Sequence, residues 1–284
     1  MSSEPKSTHQ QPVFWKDFVA GYISGLANIM SGQPFDICKI RMQSQGSGSL
    51  GSTFTNIVKN EGPLSLWKGS LFPLIGFGLC NSIVFAVNEK SKFFFKQGSS
   101  SNNLSFWQFY VSGGLSGIAN SIISSPMEHI RIRMQIQTNT FKLYNGSIDC
   151  FKKIMNQYGL KGLYKGLGLT VTREFFLYGA YFGAYESLKQ WGNRSDSLFL
   201  MTIGGIGGMS GWVGGCLIDN LKSKVQADSF ENPKYKDFAD LRKVMTFREL
   251  TKGFSAGFIR AFPVNAITFY TFELAMRGLY RPRK

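Results

Sequence analysis

Charge is scarce in this chain. Only 17% of its 284 residues are charged, against about 25% in soluble domains. Acids are the scarcer kind, with 17 Asp and Glu facing 32 Lys and Arg. The four cysteines, Cys38, Cys80, Cys150 and Cys216, have no CxxC spacing and no His pair nearby. That argues against a metal site and for free thiols in a reducing compartment. The two histidines, His9 and His129, join no constellation. No Ser-His-Asp or Cys-His grouping is visible, so the chain does not read as an enzyme and calls for no cofactor. Basic runs are lacking too. The longest, Arg281-Pro282-Arg283-Lys284, is short, and the other cations are dispersed through apolar segments, which argues against nucleic acid as a partner. Residues 1–13 form a polar N-terminal extension, without the apolar core of a cleavable signal or the Arg-rich pattern of a transit helix.

What is plentiful is glycine, at 32 residues, and aromatic side chains, at 15%. Glycine is more frequent in transmembrane helices than in soluble ones. Mean hydropathy is −0.07, the value expected of a polytopic protein with a wet interior. The net charge of +15 then suits an anionic membrane surface or a path for an anionic or zwitterionic solute.

The chain repeats itself three times. QPFDICKIRMQ (Gln33 to Gln43), SPMEHIRIRMQ (Ser125 to Gln135) and CLIDNLKSKVQ (Cys216 to Gln226) align on Asp36, Glu128 and Asp219, at spacings of 92 and 91 residues. A base follows three places on (Lys39, Arg131, Lys222), another at five (Arg41, Arg133, Lys224), and a Gln at seven (Gln43, Gln135, Gln226). Upstream of each motif lies a pair of glycines four apart: Gly21/Gly25, Gly113/Gly117 and Gly204/Gly208. Such pairs flatten a helix face for close packing in lipid. Downstream come EGPLSLWKG, YGLKGLYKG and a weaker MTFRELTKG, each followed by an apolar stretch ending in an acid, Glu89, Glu186 or Glu273. Each unit reads as a long helix, a polar loop with a short amphipathic helix, and a second long helix. Six long segments are expected near 15–44, 70–96, 107–137, 167–190, 197–227 and 254–279, each long enough to span a bilayer. The repeats occupy about 15–97, 106–191 and 197–280.

Pro-x-(Asp/Glu)-x-x-(Lys/Arg), followed by an aromatic-basic-Gly block and repeated in register, resembles the mitochondrial carrier family from Trp15 to Gly278. The resemblance implies an all-α membrane protein with six transmembrane helices in three pseudo-symmetric helix-hairpin repeats around a central cavity. Short helices would lie on the matrix side of the mitochondrial inner membrane. It implies that the odd helices kink at Pro34 and Pro126. Asp36, Glu128 and Asp219 would pair with Lys39, Arg131 and Lys222 of neighbouring repeats as a matrix gate, braced by Gln43, Gln135 and Gln226. A cytosolic gate would use Glu89, Lys92, Glu186, Lys189 and Glu273, with Met276 standing where its last base belongs. Cardiolipin, as a bound lipid, would be held at Trp67-Lys68-Gly69, Tyr164-Lys165-Gly166 and, less well, Lys252-Gly253, where Thr251 replaces the aromatic.

The family's substrate site falls on Gly76, Arg173 and Arg260, with Glu174 beside Arg173. A guanidinium grips a carboxylate bidentately, and an acid suits an ammonium. The expected cargo is an amino acid, an acylcarnitine or a similar carboxylate-bearing zwitterion, moved by alternating access and exchange. The Arg-Glu dipeptide resembles the amino-acid branch, and PLIGFGLCNSIVF resembles ornithine- and carnitine-type members. Ornithine carriers have an acid at the position of Cys80, so a dibasic amino acid is disfavoured. A second reading rests on the third repeat, which departs from the pattern at Leu217 (in place of the third Pro), Thr251 and Met276. On that reading the chain is a carrier-fold structural subunit of a respiratory complex that no longer transports, rather than a monomeric carrier.

Overall fold

A computed structural model describes residues 14–45, 49–97, 103–138, 142–192, 197–235, 240, 246 and 254–280. Among them the secondary structure is helical. The helices are α1 (Phe14–Gln45), α2 (Leu50–Glu61), α3 (Leu71–Gln97), α4 (Phe106–Ile136), α5 (Ser147–Leu163), α6 (Leu167–Gly192), α7 (Ser197–Ala227) and α8 (Phe254–Tyr280), with a 3-10 turn at Pro63–Trp67. The six long helices begin and end within a residue or two of the expected segments. The polar extension, and Thr251, Lys252 and Gly253, lie outside the described residues.

Local chemistry fixes several boundaries. Ser49 and Ser105 open α2 and α4 with reciprocal capping boxes to Ser52 and Gln108. The glycines of the two clean turn motifs, Gly62 and Gly69 in the first repeat and Gly159 and Gly166 in the second, have φ of +84, +83, +61 and +78°, a region that side chains with a Cβ rarely enter. The tight turns they allow seat each repeat on the next. An added Cβ at Gly69 would lie 3.0 Å from the Arg131 carbonyl oxygen in α4, and one at Gly166 would lie 3.2 Å from Gln226 in α7.

Polar groups face inward and apolar ones outward. Ser112, Ser116, Asn120, Ser121 and Ser125 of α4 are buried. Phe94, Trp107 and Trp191 are 73, 69 and 86% exposed. That inversion suits a helix ring with a polar interior and a lipid-facing outside. Along the ring α3 packs on α4, α4 on α6, α6 on α7, and α8 on α1. The close approaches are made by glycine. In α4, Gly113 and Gly117 lie against the backbone of Tyr178 and Glu174 in α6. In α7 the residues doing this are Gly207, Gly211 and Gly214, set against the Tyr181, Leu177 and Phe176 carbonyls of α6. Gly204 and Gly208, the expected pair, have nothing within 4 Å among the described residues.

In each of the first two repeats the motif proline frees a backbone carbonyl, and a tryptophan or tyrosine takes it. Pro34 and Pro126 sit inside α1 and α4, and without an N–H they leave the carbonyls four residues earlier without their helical partner. Those carbonyls belong to Met30 and Ile122. The Trp67 indole N–H donates to the first at 2.9 Å, and the Tyr164 hydroxyl donates to the second at 2.9 Å. In the third repeat Leu217 replaces the proline and Thr251 the aromatic. The carbonyl that needs a donor and the donor that serves it are absent together.

Candidate functional site

The motif ends of α1, α4 and α7 converge on an ionic ring. Asp36 accepts from Arg131 at 2.6 Å. Glu128 pairs with Lys222, and Asp219 with Lys39. Each acid thus meets a base of a different repeat, and all three links are closed. Gln33 backs the first link: its Oε1 accepts from Arg131 at 2.6 Å, while its Nε2 donates to the Lys68 carbonyl at 2.9 Å. Gln43, Gln135 and Gln226 are buried. Gln226 donates to the Lys165 carbonyl at 3.2 Å, so it ties α7 to the second repeat's turn. The amide of Gln135 has no hydrogen-bond partner among the described residues.

Arg173 and Arg260 are drawn into this ring. Arg173 Nη2 lies 2.9 Å from Glu128 Oε1 and also bonds Glu174, and its Nη1 lies 3.5 Å from Asp219. Arg260 Nε lies 3.1 Å from Asp36. Its guanidinium rests over Gly32, where an added Cβ would come within 2.8 Å of it. Glu174 is 3% exposed and also accepts from Asn120 at 3.2 Å. Cys80, one turn beyond Gly76 on α3, lies within electrostatic reach of Glu174 and Glu128. Gly76 itself is covered: its missing Cβ would fall 1.8 Å from the Met127 methyl. In this conformation that position seats Met127 rather than opening to a ligand. Five cations (Lys39, Arg131, Arg173, Lys222, Arg260) meet four carboxylates (Asp36, Glu128, Glu174, Asp219), which leaves one positive charge in excess.

At the opposite end, Lys92 pairs with Glu186 of the second repeat and with Glu89 of its own helix, each at 2.6 Å. Lys189 lies 5.8 Å over the Tyr185 ring. Of Glu273 only the backbone is described. Sequence reasoning overlooked Gly32, Gln33, Asn120 and Met127. A signal for one was present: Asn28 and Asn120 occupy the same place in the first two repeats, and each donates to an even helix, Asn28 to Thr268 at 2.9 Å and Asn120 to Glu174.

A threefold ring of lipid-facing helices, closed at one end by ion pairs that enclose partly buried arginines, defines a gated membrane transporter. The chain belongs to the mitochondrial carrier family. The model named "Mitochondrial carrier protein" matches residues 10–99, 102–196 and 193–283. The chain is 40% identical over 279 residues to the glutamate/glycine mitochondrial carrier ymc1 of Schizosaccharomyces pombe, covering 91% of this chain and 92% of that protein. It is 37% identical over 295 residues to the mitochondrial glycine transporter YMC1 of Saccharomyces cerevisiae, covering 97 and 95%. It is 32% identical over 277 residues to the mitochondrial basic amino acids transporter of Homo sapiens, covering 92 and 89%. The protein is a multi-pass solute transporter of the mitochondrial inner membrane. The reading as a subunit without transport gains nothing from these relatives.

Proposed function

We propose that the protein carries a small amino acid, glycine or glutamate foremost, by alternating access and exchange. The observation that carries this reading is the position of Arg173, shared between Glu128, Asp219 and Glu174. A substrate carboxylate that takes the Arg173 guanidinium competes with two acids of the matrix ring, and one that takes Arg260 competes with Asp36. Loading therefore weakens the links that close the gate, and a ligand shifts such an equilibrium by its differential affinity for the two states. Glu174 is the partner for the substrate ammonium. The single excess positive charge complements one carboxylate, and the thiol of Cys80 offers no anion to a second ammonium. Both features favour a neutral or acidic amino acid over a dibasic one, in line with the names of the two yeast relatives.

Cardiolipin phosphates would bind at the starts of α3 and α6, just after Gly69 and Gly166, where first-turn N–H groups are free of helical partners. Backbone groups would carry that contact. Lys68 and Lys165 are engaged by Glu61 and by the Asp228 and Ser229 carbonyls, and Trp67 and Tyr164 by the carbonyls of Met30 and Ile122. The third lipid site would use Lys252 and Gly253.

The test is uptake of labelled glycine, glutamate, ornithine and carnitine into cardiolipin-containing liposomes preloaded with each. Glycine or glutamate exchange that is lost in Arg173→Ala is expected. Preferred exchange of ornithine or carnitine would overturn the substrate assignment, and exchange unchanged in Arg173→Ala would overturn the site.

A further inference from the structure

In the first repeat two cations share one carboxylate. Arg41 donates to Glu61 at 2.5 and 3.0 Å, and Lys68 lies 2.6 Å from the same group. Arg41 also donates to the Gln135 and Gln137 carbonyls at 2.9 and 3.1 Å, so this clasp joins the first repeat to the second. The second repeat keeps both cations, as Arg133 and Lys165, but has Tyr158 where the acid stood.

A ring from the third repeat replaces that acid. Phe230 stacks on Tyr158 at 4.1 Å, with Arg133 4.4 Å and Lys165 4.8 Å from its centroid. The Lys165 ammonium donates to the Asp228 and Ser229 carbonyls at 2.9 Å each, and Arg133 also reaches the Asp228 carbonyl. The Asp228 carboxylate is turned to its own loop, accepting the N–H groups of Ser229 and Tyr235 at 3.0 and 3.1 Å. His129 accepts from Arg133 at 3.2 Å through Nε2 and is tied to the Leu163 carbonyl through Nδ1. Carbonyl dipoles and a π face attract a cation without neutralising it. Lys165 therefore stands beside the permanent charge of Arg133, partly exposed at the matrix face, with no carboxylate bonded to its ammonium among the described residues.

We propose that Lys165 is an acylation site for acyl thioesters of the matrix. The free amine attacks the thioester carbonyl carbon. An N–C bond forms and the C–S bond breaks. The thiolate leaves and takes up the proton that the amine releases, and an uncharged amide remains. The geometry favours the free amine at this one position. Burial, and then the charge of Arg133, push the Lys165 ammonium down to about 8, whereas the Lys68 ammonium is bonded directly to the Glu61 carboxylate. Acylation leaves one N–H in place of three, so at least one of the two bonds to the third repeat is given up.

The experiment uses the intact carrier in liposomes with acetyl-coenzyme A as the probe at pH 8, and peptide mass spectrometry reads each lysine. Lys165 should acylate on the order of tenfold faster than Lys68 in the same molecule: at pH 8 its free-amine fraction exceeds that of an ordinary lysine by about a hundredfold or more, and the lower nucleophilicity of the weaker base offsets part of that gain. Tyr158→Glu, which rebuilds the first repeat's clasp, should bring the rate down to that of Lys68, and Arg133→Gln should lower it as well. Equal rates at Lys165 and Lys68 in the native protein would overturn the proposal, and so would rates at Lys165 unmoved by either substitution. None of these outcomes depends on which solute is carried.

Discussion

The first two repeats and the third differ in ways that are correlated. Repeats one and two have a proline in the odd helix and an aromatic donor in the turn that follows. The third has Leu217 and Thr251. Taken singly, each change looks like decay of a motif. In the first two repeats, though, the indole of Trp67 and the hydroxyl of Tyr164 serve the carbonyls that Pro34 and Pro126 release. A helix that keeps its hydrogen bond at this point has no use for the donor. The third repeat is thus a consistent alternative rather than a damaged copy. Its ion pairs to both neighbours, Lys39–Asp219 and Glu128–Lys222, are intact.

The largest effect is expected when the third repeat is given a proline without a donor. Leu217→Pro should destabilise the protein by about 3 kcal/mol or more, read as a fall in the thermal midpoint in detergent. Adding Thr251→Trp should recover part of that loss. If the double variant is no better than the single one, the pairing of proline and aromatic is not functional. A smaller effect is expected from the other direction. Trp67→Phe and Tyr164→Phe each strip a donor from a carbonyl that has no helical partner, at a cost of about 1–3 kcal/mol. The same reasoning gives Thr251→Val no cost beyond about 0.5 kcal/mol, the usual range for a site without such a feature.

Smaller still is the glycine contrast. Gly117→Ala would drive a methyl to within 2.4 Å of the Glu174 carbonyl oxygen, whereas Gly208 has no described residue within 4 Å of its added Cβ. Gly208→Ala should therefore stabilise by up to about 1 kcal/mol through helix propensity alone, with transport unchanged. Loss of stability there would show that α7 buries that face in another state of the cycle.

The six helices were legible because their motifs recur in register, and a recurring motif fixes boundaries that a lone apolar run leaves loose. The charged types of the ring were legible for the same reason. Their sharing was not: nothing in the spacing shows that Arg173 reaches Glu128 and Asp219, since that contact depends on how far α6 leans into the ring. The glycine face of α7 was missed by three positions. Gly204/Gly208 and Gly207/Gly211 have the same four-residue spacing but point about 60° apart around the helix, and only the position of α6 selects between them. Trp67 and Tyr164 were read through the lipid motif alone, although their loss together with the proline was already visible in the sequence. At the cytosolic end the missing base at Met276 was legible, and the structure adds that Lys92 carries the link to the second repeat through Glu186.

The two matrix clasps make the smallest and most selective prediction: each makes stability rise with pH, but in separate windows, Glu61 on the acid side and Lys165 on the alkaline side. Burial alone would raise the Glu61 carboxyl, but hydrogen bonds from Arg41 and Lys68 outweigh it and hold the group below its ordinary value. The stability it contributes is present above the ordinary carboxylate range and is lost as pH falls through the lowered value. Lys165 is a base whose ammonium is held down to about 8 by burial and by Arg133. Folding disfavours its charged form, so the penalty is fully present below about 8 and is relieved as pH rises from there towards the ordinary lysine value near 10.5. The thermal midpoint of the native protein should therefore rise between pH 7.5 and 9.5 relative to Lys165→Gln, by a small margin because the side chain is partly exposed. Glu61→Gln should instead level the decline on the acid side and leave the alkaline limb alone. If Lys165→Gln and the native protein keep the same alkaline limb, Phe230 and the two carbonyls already compensate the charge as fully as Glu61 does in the first repeat, and the two clasps are energetically alike despite their different chemistry.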